Sequence, residues 1–124
     1  MQKTTISIAA FAALALLTAN NVSAQRDAED PEREEFIRSH YTKYEHKIAM
    51  RDGVRLFTAV YLPNDTDEAS PILMTRTPYS VGPYGADRYK TKLGPTEEFE
   101  RDRYIFVFQD VRGRFMSEGE FVNM

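Results

Sequence analysis

The sequence predicts an α/β fold in which an antiparallel hairpin leads into a mostly parallel sheet. Three observations support this prediction. Apolar residues alternate along two stretches on either side of an Arg-Asp-Gly turn at residues 51–53, which is typical of a hairpin. A short apolar run, Ile72–Met74, follows a polar loop. Tyr104–Val111 (YIFVFQDV) is rich in aromatic and β-branched residues and has no helical period, as in a central strand covered on both faces.

The first 24 residues have the pattern of a secretory signal peptide. Lys3 is basic, Ile6–Leu17 is apolar, and Val22-Ser23-Ala24 is a small-residue cleavage site before Gln25. The apolar run is shorter than the roughly 20 residues that span a membrane, and an uncleaved N-terminal anchor is the alternative. We therefore expect cleavage after Ala24, a secreted or periplasmic mature protein, and no membrane contact after cleavage.

The composition excludes several classes of function. The chain carries 16 Lys and Arg against 19 Asp and Glu, a net charge of −3, and it has no basic patch, so we expect no nucleic-acid partner. It contains no cysteine, so no disulfide supports the fold. Glu118 and Glu120 lie near Asp110 but have no ligand spacing and no partner His, and there is no Gly-rich phosphate loop. We expect neither a metal nor a cofactor.

The mature chain divides into a charged leader over residues 25–42 and a folded part over residues 43–124. The leader is interpreted as a flexible segment or a short exposed helix that Phe36 and Ile37 dock onto the body. Alternation begins at Tyr44 and, after the turn, continues from Val54 to Leu62. These two stretches are predicted to form a hairpin with one buried face.

The second half of the folded part alternates between loops and strands. Residues 63–70 are polar, and residues 80–95 contain three Gly and two Pro, so both are predicted to be loops. Glu97–Arg103 is predicted to be the end of a helix with Thr96 as its N-cap. The strand at residues 104–111 follows.

This order of elements is the usual start of an α/β-hydrolase, in which ligands lie beyond the carboxyl ends of the strands. Two stretches are predicted to lie there, Arg76–Tyr84 and Asp110–Ser117. Several side chains, inside and outside these two stretches, are open to two interpretations. Asp110, Arg112 and Arg76 either shape the floor of a site or form an ion pair or loop-fixing hydrogen bonds. Tyr84 and Tyr89 either line an acyl pocket or pack the loop, and His40 and His46 are interpreted as structural.

Three strings occur in order within residues 43–123: MRDGVRLFTAVYLP, PILMTRTPY and YIFVFQDVRGRFMSEGEF. They resemble the N-terminal part of the Xaa-Pro dipeptidyl-peptidase-like α/β-hydrolases, the family of cocaine esterase and the α-amino acid ester hydrolases. TRTPY and VFQDVRG are most similar to the latter group. The resemblance implies a serine hydrolase acting on acyl bonds, with a small acyl ester, a β-lactam acyl group, another amide or a short peptide as substrate.

In this family the nucleophile lies on a Gly-x-Ser-Tyr-x-Gly elbow and is followed by Asp and then His. The chain contains no such elbow, so we expect the N-terminal part of an α/β-hydrolase fold that is truncated before the elbow and lacks the catalytic Ser, Asp and His. One role carries over by resemblance: Tyr79, of the T-P-Y motif, is predicted to donate to the oxyanion hole, the alternative being a loop tyrosine that packs over the sheet edge. The alternative for the whole chain is a small non-catalytic secreted binding module or a decayed remnant.

Overall fold

The computed structural model describes residues 30–65 and 67–123, which form two helices and one four-stranded sheet. In chain order the elements are α1 (Pro31–His40), β1 (Tyr41–Ala49), β2 (Arg55–Pro63), β3 (Ile72–Thr77), α2 (Glu97–Arg101) and β4 (Ile105–Asp110). The predicted signal peptide lies outside the described residues. Within the described part of the chain, no helix is both long and apolar enough to cross a membrane.

The charged leader was predicted to be either a flexible segment or a short helix. The structure shows a helix, α1, within it. Asp30 caps its first turn by accepting hydrogen bonds from the backbone N–H groups of Glu32 and Arg33, and Pro31 follows at a position that needs no donor. Ile37 is fully buried and Phe36 packs against the core, which confirms the predicted docking.

Strands β1 and β2 form the predicted antiparallel hairpin around the turn at residues 51–53, and β1 begins earlier than predicted, at Tyr41. The predicted single buried face is wrong for β2, where Leu56 and Thr58 on one side are as buried as Phe57 and Ala59 on the other. Phe57 and Ala59 of β2 face the core together with Lys43 of β1, whereas the apolar side chains Tyr44 and Ile48 of β1 are almost half exposed on the opposite face. The alternation of the two strands was predicted correctly, but the burial of both faces of β2 was not.

Strand β4 lies inside the sheet, as predicted for a central strand. The strand order is β1-β2-β4-β3, with β4 antiparallel to β2 and parallel to β3. Strand β3 continues to Thr77, beyond the predicted Ile72–Met74, and it forms one edge of the described sheet. Thus a hairpin leads into a parallel pair, and the carboxyl ends of β3 and β4 meet at one end of the sheet.

The core lies on one face of the sheet, between the strands and a cover made of α1 and residues 78–104. Aromatic side chains dominate this face, and their rings meet edge to face, as Tyr61 does with Phe108 at a centroid separation of 5.8 Å. Helix α2 belongs to this cover. It ends at Arg101, earlier than predicted, and Thr96 occupies its N-cap position without a side-chain capping bond.

The other face of the sheet has apolar side chains in contact with solvent. Five of them are at least one-third exposed: Tyr44, Ile48, Leu62, Ile72 and Met74.

Candidate functional site

Tyr79 lies two residues beyond the carboxyl end of β3. Its backbone N–H donates to the Thr77 Oγ1 atom at 3.1 Å, which fixes the turn through Pro78. The residue is 76% exposed, so its phenol is open to a ligand.

Asp110, the last residue of β4, connects the two loops that leave the strand ends. It is fully buried, and its carboxylate accepts hydrogen bonds from the Val81 N–H at 3.2 Å, the Tyr84 hydroxyl at 2.9 Å and the Met116 N–H at 3.3 Å. Two of these donors belong to the loop after β3, and the third belongs to the loop after β4. Asp110 therefore holds both loops in a fixed position next to Tyr79.

The hydroxyl of Tyr84, in the loop after β3, has two hydrogen-bond partners. Besides Asp110, the Ser80 Oγ atom lies 3.0 Å from it, and Ser80 Oγ also accepts from the Gly82 N–H at 3.1 Å. Burial, reinforced by the nearby Asp110 carboxylate, raises the pKa of Tyr84. The phenol is thus held neutral as a structural donor, which favours the packing interpretation of this residue.

The loop after β4 folds back onto the hairpin. The Ser117 hydroxyl donates to the backbone oxygen of Asp110 at 2.7 Å and accepts from the Phe57 N–H at 2.8 Å. Glu118 Oε2 accepts from the Arg55 N–H at 3.1 Å. Gly113 has φ +69°, and a Cβ there would lie 2.2 Å from the Phe121 nitrogen, so only glycine fits. Ser117 and Glu118 have structural roles in this loop.

Asp110 forms the predicted loop-fixing hydrogen bonds and Arg112 forms the predicted ion pair, but the two residues do not pair with each other. Arg112 instead forms a bidentate pair with Asp52 in the hairpin turn, at 2.8 and 3.1 Å. The hydrogen bonds from Arg112 keep the pKa of the Asp52 carboxyl below its usual value. Arg76 is exposed on the outer face of the sheet, beside Gln109, and does not face the Asp110 carboxylate.

The sequence did not predict the role of Lys43, a residue of β1 whose side chain contacts the loop after β3. Its side chain is completely buried, and its Nζ donates to the backbone oxygens of Pro83, Gly85 and Arg88, each at 2.8 Å. The Tyr89 hydroxyl accepts from the Lys43 N–H at 3.1 Å, so Tyr89 packs on β1 and not at the strand ends. No local signal was available, because Lys43 alternates together with Glu45 and Lys47, a pattern that indicates an exposed face.

Both histidines lie away from the strand ends. His40 stacks on Phe36 at the end of α1, and its Nδ1 lies 2.9 Å from the Ser39 hydroxyl and 2.8 Å from the Phe36 oxygen. This serine–histidine contact joins sequence neighbours at a helix terminus. His46 is exposed on the outer face of β1. The described residues therefore bring the exposed Tyr79 phenol to the strand ends but no serine–histidine pair. Within these same ranges, no cluster of three or more His, Cys, Asp or Glu could hold a metal ion.

Comparison with known proteins places these features in a family. Residues 52–124 match the family model described as X-Pro dipeptidyl-peptidase (S15 family). Over 75 residues, 60% of this chain, the sequence is 45% identical to cocaine esterase of Rhodococcus sp. (strain MB1 Bresler), and the match covers 12% of that protein.

The solved structures that are similar to this chain include two with more than 30% sequence identity to it. One is an aminopeptidase from the marine sediment archaeon Thaumarchaeota archaeon, with a TM-score of 0.56 and 36% identity, matched over 68% of this chain and 14% of that chain. The other is an α-amino acid ester hydrolase, with a TM-score of 0.55 and 32% identity, matched over 86% of this chain and 17% of that chain. The chain thus spans 12% to 17% of the length of these relatives.

Proposed function

Because this chain belongs to the X-Pro dipeptidyl-peptidase (S15) family, a family of serine hydrolases with esterase and peptidase members, we propose that it forms the N-terminal part of a secreted serine hydrolase. In this proposal Tyr79 donates a hydrogen bond to the oxyanion that forms when an acyl bond is attacked. The catalytic Ser, Asp and His belong to a part of the fold that this chain does not contain.

The observation that carries the proposal is the position of the Tyr79 phenol. It is exposed at the carboxyl end of β3, on a loop that buried residues hold at several points. Acyl transfer builds negative charge on the carbonyl oxygen, and a donor held in place before the reaction stabilises that charge without reorganisation. The Thr77 Oγ1 atom fixes the Tyr79 backbone, and Asp110 holds the loop that follows at Val81, so the phenol extends from a fixed point at the strand end.

The substrate class follows from the relatives. They are named as an esterase, an aminopeptidase and an α-amino acid ester hydrolase. We propose a small ester, an amide such as a β-lactam acyl group, or a short peptide as the substrate, reached after export and signal cleavage at Ala24. The acidic strand-end residue Asp110 is already committed to three protein donors, so it is not free to bind a substrate cation.

A chimeric enzyme tests the proposed role of Tyr79. Residues 52–124 of this chain would replace the matching segment of Rhodococcus cocaine esterase, which supplies the nucleophile and the base. We expect the chimera to hydrolyse a small ester. Tyr79→Phe should lower its kcat about 10²–10³-fold with little change in KM, because the lost donor acts on the transition state.

Tyr104→Phe is the matched control, since Tyr104 packs against Phe99 in the cover of the core and lies at the opposite end of β4. It should leave kcat unchanged. A folded chimera without esterase activity, or one in which Tyr79→Phe has no more effect than Tyr104→Phe, would contradict the proposal. The second result would favour a packing role for Tyr79.

A further inference from the structure

Lys43 Nζ lies inside a cage of four oxygen atoms. Three are the backbone oxygens of Pro83, Gly85 and Arg88 at 2.8 Å, and the fourth is Glu45 Oε1 at 2.7 Å. The Tyr61 ring closes another side, with its centroid 5.9 Å from Nζ. The lysine side chain has no exposed surface. This is the oxygen-rich environment of a bound cation, occupied here by an ammonium group.

The cage has a physical reason to need a positive charge. Three carbonyl dipoles that point at one place repel each other, and Glu45 adds a full negative charge beside them. Glu45 Oε1 also accepts from the Gly85 N–H at 2.8 Å, so it belongs to the same arrangement of the loop. Without a cation at the centre, the three backbone oxygens of the loop would lose the positive group that they share as a hydrogen-bond donor.

We propose that Lys43 is a tethered cation that positions the loop over residues 81–88, and that the cage is a monovalent cation site once the lysine side chain is shortened. The single carboxylate calls for one positive charge. The distances of 2.7–2.8 Å exceed the roughly 2.3–2.6 Å of calcium ligands, so ammonium or potassium fits the cage better than a divalent ion.

Lys43 thereby acts on the candidate site from a distance. The loop that it holds also carries Val81 and Tyr84, the two donors that bind Asp110 beside Tyr79. The consequence for Tyr79 rests on the proposed function, whereas the cation site does not. Lys43 is in this sense a positioning residue.

The test uses the full 124-residue chain with Lys43→Ala. In tetramethylammonium chloride, an ion too large for the cage, we expect Tm to fall by about 10 °C or more and amide exchange over residues 81–88 to accelerate at least about tenfold. Ammonium or potassium chloride at the same ionic strength should restore most of the lost Tm and the exchange protection. The wild-type chain, measured in the same salts, should show no such difference.

Two further variants control the experiment. Lys43→Met fills the space with an uncharged chain, so it should be destabilised and should not respond to ammonium. Lys47→Ala removes an exposed lysine from the same strand and should behave like the wild type. If Lys43→Ala is unfolded in tetramethylammonium, recovery of its folded circular dichroism spectrum on adding ammonium is the equivalent positive result.

The proposal is overturned if ammonium and tetramethylammonium give the same Tm for Lys43→Ala, or if Lys43→Met is as stable as the wild type. Neither readout involves hydrolysis. Failure of the cation site therefore leaves the proposed enzyme function standing, and a failed chimera leaves the cation site standing.

Discussion

Replacing Asp110 with asparagine tests how the strand-end loops are held. Asp110 is buried, and its carboxylate accepts from three donors: Val81 N–H on one oxygen, and Tyr84 hydroxyl and Met116 N–H on the other. An amide group has one oxygen and one NH₂. Whichever way it is oriented, the NH₂ faces a backbone N–H and leaves that donor without an acceptor.

The size of the effect follows from these bonds. A buried donor left unpaired costs about 1–3 kcal/mol, and the remaining bonds weaken when the negative charge is lost. We expect Asp110→Asn to lower the free energy of unfolding by about 2–4 kcal/mol. For a domain of this size that corresponds to a fall in Tm of roughly 10–25 °C.

Thermal unfolding by circular dichroism measures the total effect, and hydrogen exchange localises it. The amides of Val81 and Met116 should lose protection before those of the hairpin. Asp52→Asn is the control, because its pair with Arg112 is exposed and should change Tm by only a few degrees or less. Unfolding of Asp110→Asn within about 3 °C of the wild type would show that the three bonds make no net contribution to stability.

Four other outcomes are expected. Burial, with a further contribution from Glu100, raises the pKa of Tyr41 to about 12 from 10.0. The unfolded chain releases this proton first as pH rises, so about 2–3 kcal/mol of stability, fully present below pH 10, should be lost between pH 10 and 12. Equal slopes of Tm against pH for wild type and Tyr41→Phe would contradict this. Arg33→Ala should lower the free energy of unfolding by about 3 kcal/mol, because it leaves the 1%-exposed Glu100 carboxylate without the guanidinium 2.5 Å away. Arg101→Ala removes an exposed ion pair and should lower it by less than about 1 kcal/mol. Equal losses for the two variants in denaturant titration would contradict this difference. The purified 124-residue chain should hydrolyse no ester, and a serine-reactive fluorophosphonate probe should leave it unlabelled; probe-sensitive hydrolysis would overturn the expectation that the nucleophile lies elsewhere. Export from a bacterial host should remove the segment ending at Ala24, which the mass of the mature protein will check, and a full-length mass in the membrane fraction would support the anchor instead.

The strands could be predicted because their residue pattern is local. Alternation and β-branched runs located all four, and the polar loop and the Arg-Asp-Gly turn separated them correctly. The buried face of β1 could not be predicted in this way. Tyr44 and Ile48 are more apolar than Lys43, yet Lys43 is the buried residue, because carbonyl groups some 40 residues away neutralise the cost of burying its charge.

In the candidate site, too, a local motif was predictable and the long-range contacts were not. Tyr79 was predicted from the T-P-Y motif, and its exposed position is consistent with that prediction, while its role awaits the chimera. The partners of Asp110 and Arg112 were not predictable, because these two opposite charges lie close together in sequence but do not pair with each other. Arg112 pairs with Asp52, which is 60 residues away, and Asp110 is satisfied by neutral donors.

The strand order has a consequence for how the chain folds as it is synthesised. Strand β3 precedes β4 in sequence, but within the described sheet it pairs with β4 alone. The hairpin of β1 and β2 can form as soon as Pro63 has emerged, whereas β3 must wait until Asp110 has been added, a delay of several seconds at about 5–20 residues per second. During that interval Ile72–Thr77 is a strand without its partner in the described sheet, and unpaired strand edges of this kind are prone to aggregation.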